Sequence, residues 1–154
     1  MPVKPIPDGY HSVSAYLIVD DAAKAIDFYA RAFGARELYR LTMPDGGIGH
    51  AEIEIGDTRV MLADEAPQRN VKSPRTLGGS SVHLVMYLAD AGAAVKQALA
   101  SGATETRPLQ TQFYGDRSGT ITDPFGHVWT LATHVEDVSS EEMQRRLDEM
   151  MKSA

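Results

Sequence analysis

The chain contains no cysteine, which excludes disulfides, a thiolate nucleophile and thiolate metal centres, and fits a reducing compartment. No apolar run approaches the roughly 20 residues of a membrane span, and residues 1–10 lack the basic-then-apolar order of a secretion signal. A cytoplasmic setting with no membrane partner is therefore expected. Positive charge is also in short supply: 15 Lys and Arg, scattered along the chain, stand against 21 Asp and Glu, for a net charge of -6. Affinity for a phosphate backbone comes from clustered cations, so no nucleic-acid partner is expected. What remains is an ordinary globular composition, 43% hydrophobic and 23% charged over 154 residues. Such a length suits one compact domain, or two small repeated units sharing a core.

The chain reads as two copies of one plan. Module one, about 11–64, opens with a strand from Ser12 to Val19, after which Asp20 or Asp21 offers a carboxylate to cap a helix. In that helix Ala22, Ile26, Tyr29, Ala30 and Phe33 recur at helical spacing, and Gly34 supplies the stop. Strands follow at Glu37 to Thr42, His50 to Ile55 and Thr58 to Ala63, the last two joined by a Gly56-Asp57 turn. Module two, 82–138, repeats the order: a strand from Val82 to Leu88, Asp90 as cap, a helix carrying Val95, Ala98 and Leu99, then Gly102-Ala103. Between them, 65–81 has the Pro, Gly and Ser content of a linker or mobile lid. Ser139 and Glu142 form a capping-box pattern for a last helix, 139–152, whose apolar side holds Met143, Leu147, Met150 and Met151.

Tyr114 to His134 reads as strand, turn, strand. Asp123-Pro124-Phe125-Gly126 suits a type I turn, with Pro fixing φ at the second position. The stretches VDDAAKAIDFYARAFGA, HAEIEIGDTRVMLADE, YGDRSGTITDPFGHVW and ATHVEDV, taken with the repeated βα unit, resemble the vicinal oxygen chelate superfamily, the glyoxalase and bleomycin-resistance fold, and more narrowly its PhnB-like branch. The resemblance runs from Ser12 to Val138. It implies an α+β fold of two βαβββ modules, whose curved mixed sheets surround a shared cavity, commonly completed by a homodimer. It also implies four metal-ligand positions, which fall here on Ser14, Met61, His83 and Thr130. Of these only His83 is a good ligand for zinc, nickel or iron, because a hydroxyl and a thioether bind such ions poorly. The usual metal site is thus expected to be missing, with no cofactor in its place.

The two-residue turn sets the register that names the cavity-facing residues. Glu54 should lie opposite Arg59, Glu52 opposite Met61 and His50 opposite Ala63, all on one face. Ala51, Ile53, Ile55, Val60 and Leu62 then cover the helix-facing side. Ser14 and Tyr16 join the polar face, and module two adds His83, Val85, Tyr87, Thr130 and Arg117.

Several readings of these residues stay open. His83 and Glu52 suit a general base oriented by a carboxylate; otherwise His83 is a satisfied wall imidazole and Glu52 pairs with Arg59. Arg117 offers an anchor for an anionic or carbonyl-bearing ligand, or pairs with Asp116 or Glu136. Tyr16, Tyr87, Phe113 and Tyr114 either stack on a ligand or pack. His127 and Trp129 read as structural, and His134 as a solvated strand end. The leading expectation is a small-molecule binding protein in which Ser14, Tyr16, His50, Arg59, Met61, Tyr87, Arg117 and Thr130 touch ligand. The alternatives are a glyoxalase- or dioxygenase-like enzyme with a divalent metal on a displaced His50, Glu52 and His83 set, and a metal-free acid–base enzyme using His83 and Glu52.

Overall fold

Residues 2–154 are described by the computed structural model; Met1, the first residue of the domain read over 1–154, lies outside the described residues. The first half runs β1 (Tyr16–Val19), α1 (Ala22–Phe33), β2 (Arg36–Thr42), β3 (Ile48–Ile55) and β4 (Thr58–Asp64). A connection holding a 3-10 turn (Pro67–Arg69) and a short helix α2 (Pro74–Leu77) leads to the second half. That half runs β5 (His83–Tyr87), α3 (Ala91–Ala100), β6 (Thr104–Thr111), β7 (Asp116–Thr122) and β8 (Val128–His134), and α4 (Ser140–Lys152) follows.

Helix boundaries follow from local chemistry. Between the two candidate caps it is Asp21, in extended backbone, that accepts the Lys24 amide, and Gly34 ends α1 at φ 66° with its N–H on Ala30 O. Asp90 does the same for α3 by accepting from Ala93 N. The repeat extends to side-chain detail: Asp64 Oδ1 accepts the Ala22 amide at 2.6 Å, and Thr133 Oγ1 accepts the Ala91 amide at 2.9 Å. Each half thus ties the start of its helix to the end of its last strand.

Two four-stranded mixed sheets result, in the matching orders β1-β4-β3-β2 and β5-β8-β7-β6. In each, the outer pair β1·β4 or β5·β8 is parallel and the rest antiparallel. The β3–β4 register is the expected one, Glu52 opposite Met61 and Glu54 opposite Arg59. Gly56 makes it possible by taking φ 58° at the first turn position, as a type II′ hairpin requires.

One core serves both halves. The helix-facing residues Ala51, Ile53, Val60 and Leu62 of the first sheet join Phe28 and Tyr29 of α1, and Ile121, Trp129 and Leu131 of the second sheet. Phe33 meets Trp129 with ring centroids 4.9 Å apart. The deepest polar link is Asp123: its Oδ2 accepts from Tyr29 Oη at 2.5 Å and Trp129 Nε1 at 2.9 Å, while its Oδ1 holds the amides of Phe125 and His127. His127 adds a bond of 3.0 Å to the Ile18 carbonyl, so both residues are structural, as expected. Because each sheet turns one face to this shared core, the opposite, polar faces look outward.

Two expectations need correction. The first strand begins at Tyr16 rather than Ser12, because its ladder with β4 starts at the Tyr16–Met61 pair. The 65–81 connection is an ordered strap: Glu65 accepts from Ser73 N at 2.8 Å and Thr76 Oγ1 at 2.9 Å, and Ser73 is fully buried as the cap of α2. Arg75 then bonds Pro124 O, fastening the strap to the second-half turn. The last helix forms where expected and docks with Met143 and Leu147 half-buried and Arg146 reaching Phe113 O at 3.0 Å and Glu136 at 2.7 Å, while Met150 and Met151 stay exposed. Among the described residues, no helix is long and apolar enough to cross a membrane.

Candidate functional site on the outer sheet faces

Alternation along β3 and β4 puts Tyr39, Glu52, Met61 and Tyr16 in one row across the first sheet, with His50 beside Glu52. These side chains form a continuous network. Tyr16 Oη lies 2.7 Å from His50 Nδ1, His50 Nε2 lies 3.3 Å from Glu52 Oε1, and Tyr39 Oη donates to the same oxygen at 2.8 Å. Glu52 is only 8% exposed, whereas Tyr16 and Tyr39 are 46% and 43% exposed. The buried carboxylate therefore orders an imidazole and a phenol, and both tyrosines stay partly exposed to solvent.

Burial works to raise the Glu52 pKa, but the hydroxyl and imidazole groups around it outweigh burial and hold it below the ordinary carboxylate range. An ionised Glu52 favours an N–H on Nε2 facing the carboxylate, an assignment that leaves Nδ1 to accept from Tyr16. Burial and Glu52 raise the Tyr16 phenol, so it stays neutral and donates. Tyr10 Oη is buried near the same carboxylate without completing a hydrogen bond, and burial followed by Glu52 drives its pKa far up. The Tyr10 ring lies under Arg59, 5.4 Å from the guanidinium carbon to the centroid.

The second sheet carries a different row at the matching positions: Arg107, Thr120, Thr130 and Val85. Thr120 and Thr130 share a hydrogen bond of 3.0 Å. His83 opens a recess of about 300 Å3 lined by Arg107, Thr120, Thr122, Val128, Thr130 and Thr106, all from the second half. Farther along this face, Tyr87 Oη donates to Asp116 Oδ2 at 2.7 Å, and His134 Nδ1 bonds Asp116 Oδ1 at 2.8 Å. The other His134 nitrogen bonds Asp137 at 2.8 Å. Hydrogen bonds to Asp116 and then Asp137 raise the His134 pKa, so its strand end is an ion-pair network and not a merely solvated imidazole.

The expected residues thus divide into two sets. Tyr16, His50, Glu52 and Met61 come together, with Arg59 at the edge; His83 and Thr130 come together on the other sheet, with Tyr87 along it. Within one chain His83 does not meet Glu52, whose partners are Tyr39 and His50. Glu52 also does not pair with Arg59, which lies 4.0 Å from Glu54. Ser14 is exposed ahead of β1. Arg117 is misplaced by the sequence reading: it lies opposite Thr133, whose hydroxyl serves α3, and therefore points to the helix-bearing face of β7. The arginine on the outer face is Arg107. Tyr39 and Arg107 were not singled out in the sequence because β2 and β6 carry register shifts that break simple alternation.

The donors at the four family metal positions do not fit a transition metal. Met61 offers a thioether, the Thr130 hydroxyl is engaged by Thr120, and His83 is the one strong donor. Among the described residues no three His, Asp or Glu side chains group as metal ligands. A cleft of about 650 Å3 between the two halves is lined by Phe33, Val60, Leu84, Met86 and Trp129 and reaches Val85 and Tyr87 on the second sheet.

Known proteins bear on this arrangement. The chain is 43% identical over 136 residues to the uncharacterized protein Rv0887c of Mycobacterium tuberculosis, a match covering 86% of this chain and 80% of that one. Among solved structures it resembles the Arabidopsis thaliana product of At5g48480, with TM-score 0.64 and 26% identity over 80% of this chain and 98% of the other. TioX from Micromonospora sp. ML1 gives TM-score 0.63 and 26% identity over 82% of this chain and all of the other. A PhnB protein from Bacillus cereus, 15% identical with TM-score 0.62 over 80% of this chain and 99% of that one, shares the fold. Residues 10–131 match the family model for the glyoxalase/bleomycin resistance protein/dioxygenase superfamily, and the chain belongs to that superfamily.

Proposed function

We propose that this chain is a small-molecule binding protein of the superfamily, holding an organic ligand against the outer face of its first sheet without the usual divalent metal. The observation that carries the reading is the Tyr16–His50–Glu52–Tyr39 network, in which a buried carboxylate fixes groups that stay open to solvent. Rigid polar anchors beside exposed aromatic surface are what ligand sites generally combine. A homodimer completes the site in this account. Support comes from the other wall, where Val85 and Tyr87 are 59% and 62% exposed, a large apolar area for a free surface. His83 and Thr130 of a second copy would then face Glu52. The absence of cysteine agrees with a cytoplasmic setting.

A thermal-shift screen of organic compounds on the parent protein and Tyr16→Ala tests the proposal, with light scattering for the oligomeric state. A ligand at a hundred times its Kd adds about 2.7 kcal/mol, or about 5–10 °C in Tm. The expected result is a saturable shift in a dimer that Tyr16→Ala removes. A shift of equal size in the variant would place the ligand elsewhere.

A further inference from the structure

The first-sheet face holds a charge imbalance that the small-molecule reading leaves unused. The charge-bearing groups on or bordering this face are His50, Glu52, Glu54 and Arg59, with Arg36 at its edge, and the phenols of Tyr10, Tyr16 and Tyr39 adjoin Glu52. Glu54 is spanned by two cations, Arg36 at 2.9 Å and Arg59 at 4.0 Å. Glu52 has no lysine or arginine partner: it is bonded by the Tyr39 phenol and by the His50 imidazole at 3.3 Å, which answers it with a charge only when protonated. An ionised carboxylate taken out of water is costly unless a positive group answers it, because neutral donors return only part of the lost hydration.

The rings above that carboxylate are suited to the missing charge. Tyr16 and Tyr39 flank His50 at centroid distances of 5.4 and 5.8 Å, tilted to it by 48° and 43°. Both hydroxyls donate, Tyr39 to Glu52 and Tyr16 to His50 Nδ1, which leaves electron density on the rings and strengthens their attraction for a cation. The chain already uses this mode next door, where Arg59 lies over Tyr10.

Resting on the small-molecule reading, we infer that the ligand carries an organic cation, an ammonium or guanidinium group, seated on Tyr16, His50 and Tyr39 above the Glu52 carboxylate. The opposing influences are Arg59 on the same face and Arg107 on the second sheet, which a partner copy would bring near; both favour an anion.

Calorimetric titration of the full-length protein with three soluble probes of similar size separates the outcomes: benzyltrimethylammonium, benzyl alcohol and benzoate. The cation should bind about tenfold more tightly than benzyl alcohol, with benzoate weakest. Glu52→Gln should lower affinity for the cation about tenfold and weaken benzyl alcohol by much less, so that the ratio of the two affinities falls. Tyr39→Leu, which keeps the carboxylate and removes a ring, should weaken the cation as well and stands in if Glu52→Gln does not fold. Equal binding of cation and alcohol, tightest binding of benzoate, or indifference of the cation to both substitutions would overturn the inference and leave the small-molecule reading intact. No binding of any probe at millimolar concentration would overturn both.

Discussion

Removing the Asp123 carboxylate should loosen the joint between the two halves, and the structure says by how much. Asp123 is 4% exposed and receives four donors: Tyr29 Oη, Trp129 Nε1 and the amides of Phe125 and His127. Asp123→Ala strands the Tyr29 and Trp129 donors inside the core, at about 1–3 kcal/mol each, and adds roughly 1 kcal/mol for the turn amides. Contributions of donors that share one carboxylate do not add fully, so about 4 kcal/mol is a fair centre. At about 2–4 °C per kcal/mol for a chain of this size, Tm should fall by roughly 8–16 °C. Tyr29→Phe removes one donor and keeps the ring, and should cost about 1–2 kcal/mol. Calorimetry gives both numbers, and Trp129, the sole tryptophan, reports the local change by fluorescence. A Tm for Asp123→Ala within 2 °C of the parent would refute the reasoning.

Gly115→Ala should destabilise far more than Gly34→Ala. At Gly115 φ is 101° and a Cβ would sit 2.1 Å from Glu136 O, whereas Gly34 at φ 66° has open space around it. The first should cost at least about 2–3 kcal/mol and the second about 1 kcal/mol in denaturant unfolding; equal costs would contradict the geometry. His134 should titrate above its ordinary 6.5 because Asp116 and Asp137 hold its charged form. That stabilisation is full below pH 6.5 and is lost as pH rises through the raised value. NMR titration of the ring checks this, and Asp116→Asn should bring the value down; an unshifted ring in the parent would contradict it. Glu142 is held at about 2 by Arg145 and then Arg146, so its contribution is present above its ordinary 4.5 and lost as pH falls toward 2. Hydrogen exchange should show α4 opening in acid before the Trp129 environment changes, and simultaneous loss would contradict that order.

Much of this fold was legible because its signals are local. Helix caps at Asp21 and Asp90, the Gly34 stop, the Asp123 turn and the two-residue hairpin each depend on a few adjacent residues. The hairpin register in turn gave the shared face of His50, Glu52, Arg59 and Met61. What escaped the sequence depends on tertiary geometry. Arg107 escaped because the bulged pairing of β6 with β7 hides the alternation there, whereas Arg117 lies in the unbroken β7–β8 ladder, three residues from Thr120 and so on the opposite face. The strap at 65–81 has loop composition, yet Glu65 and Ser73 pin it through bonds across eight residues. The pairing of His83 with Glu52 was drawn from two halves that share a fold plan, while the common core in the chain turns their polar faces outward. No pattern along the chain signals which way two such modules dock.

The most direct test of ligand placement is amide and side-chain chemical-shift mapping by NMR, using the strongest compound from the thermal-shift screen. The account predicts that the largest changes fall at Tyr16, Tyr39, His50, Glu52 and Met61 and saturate together. Changes confined to Phe33, Leu84 and Trp129 in the cleft between the halves, with the first-sheet face unmoved, would contradict it.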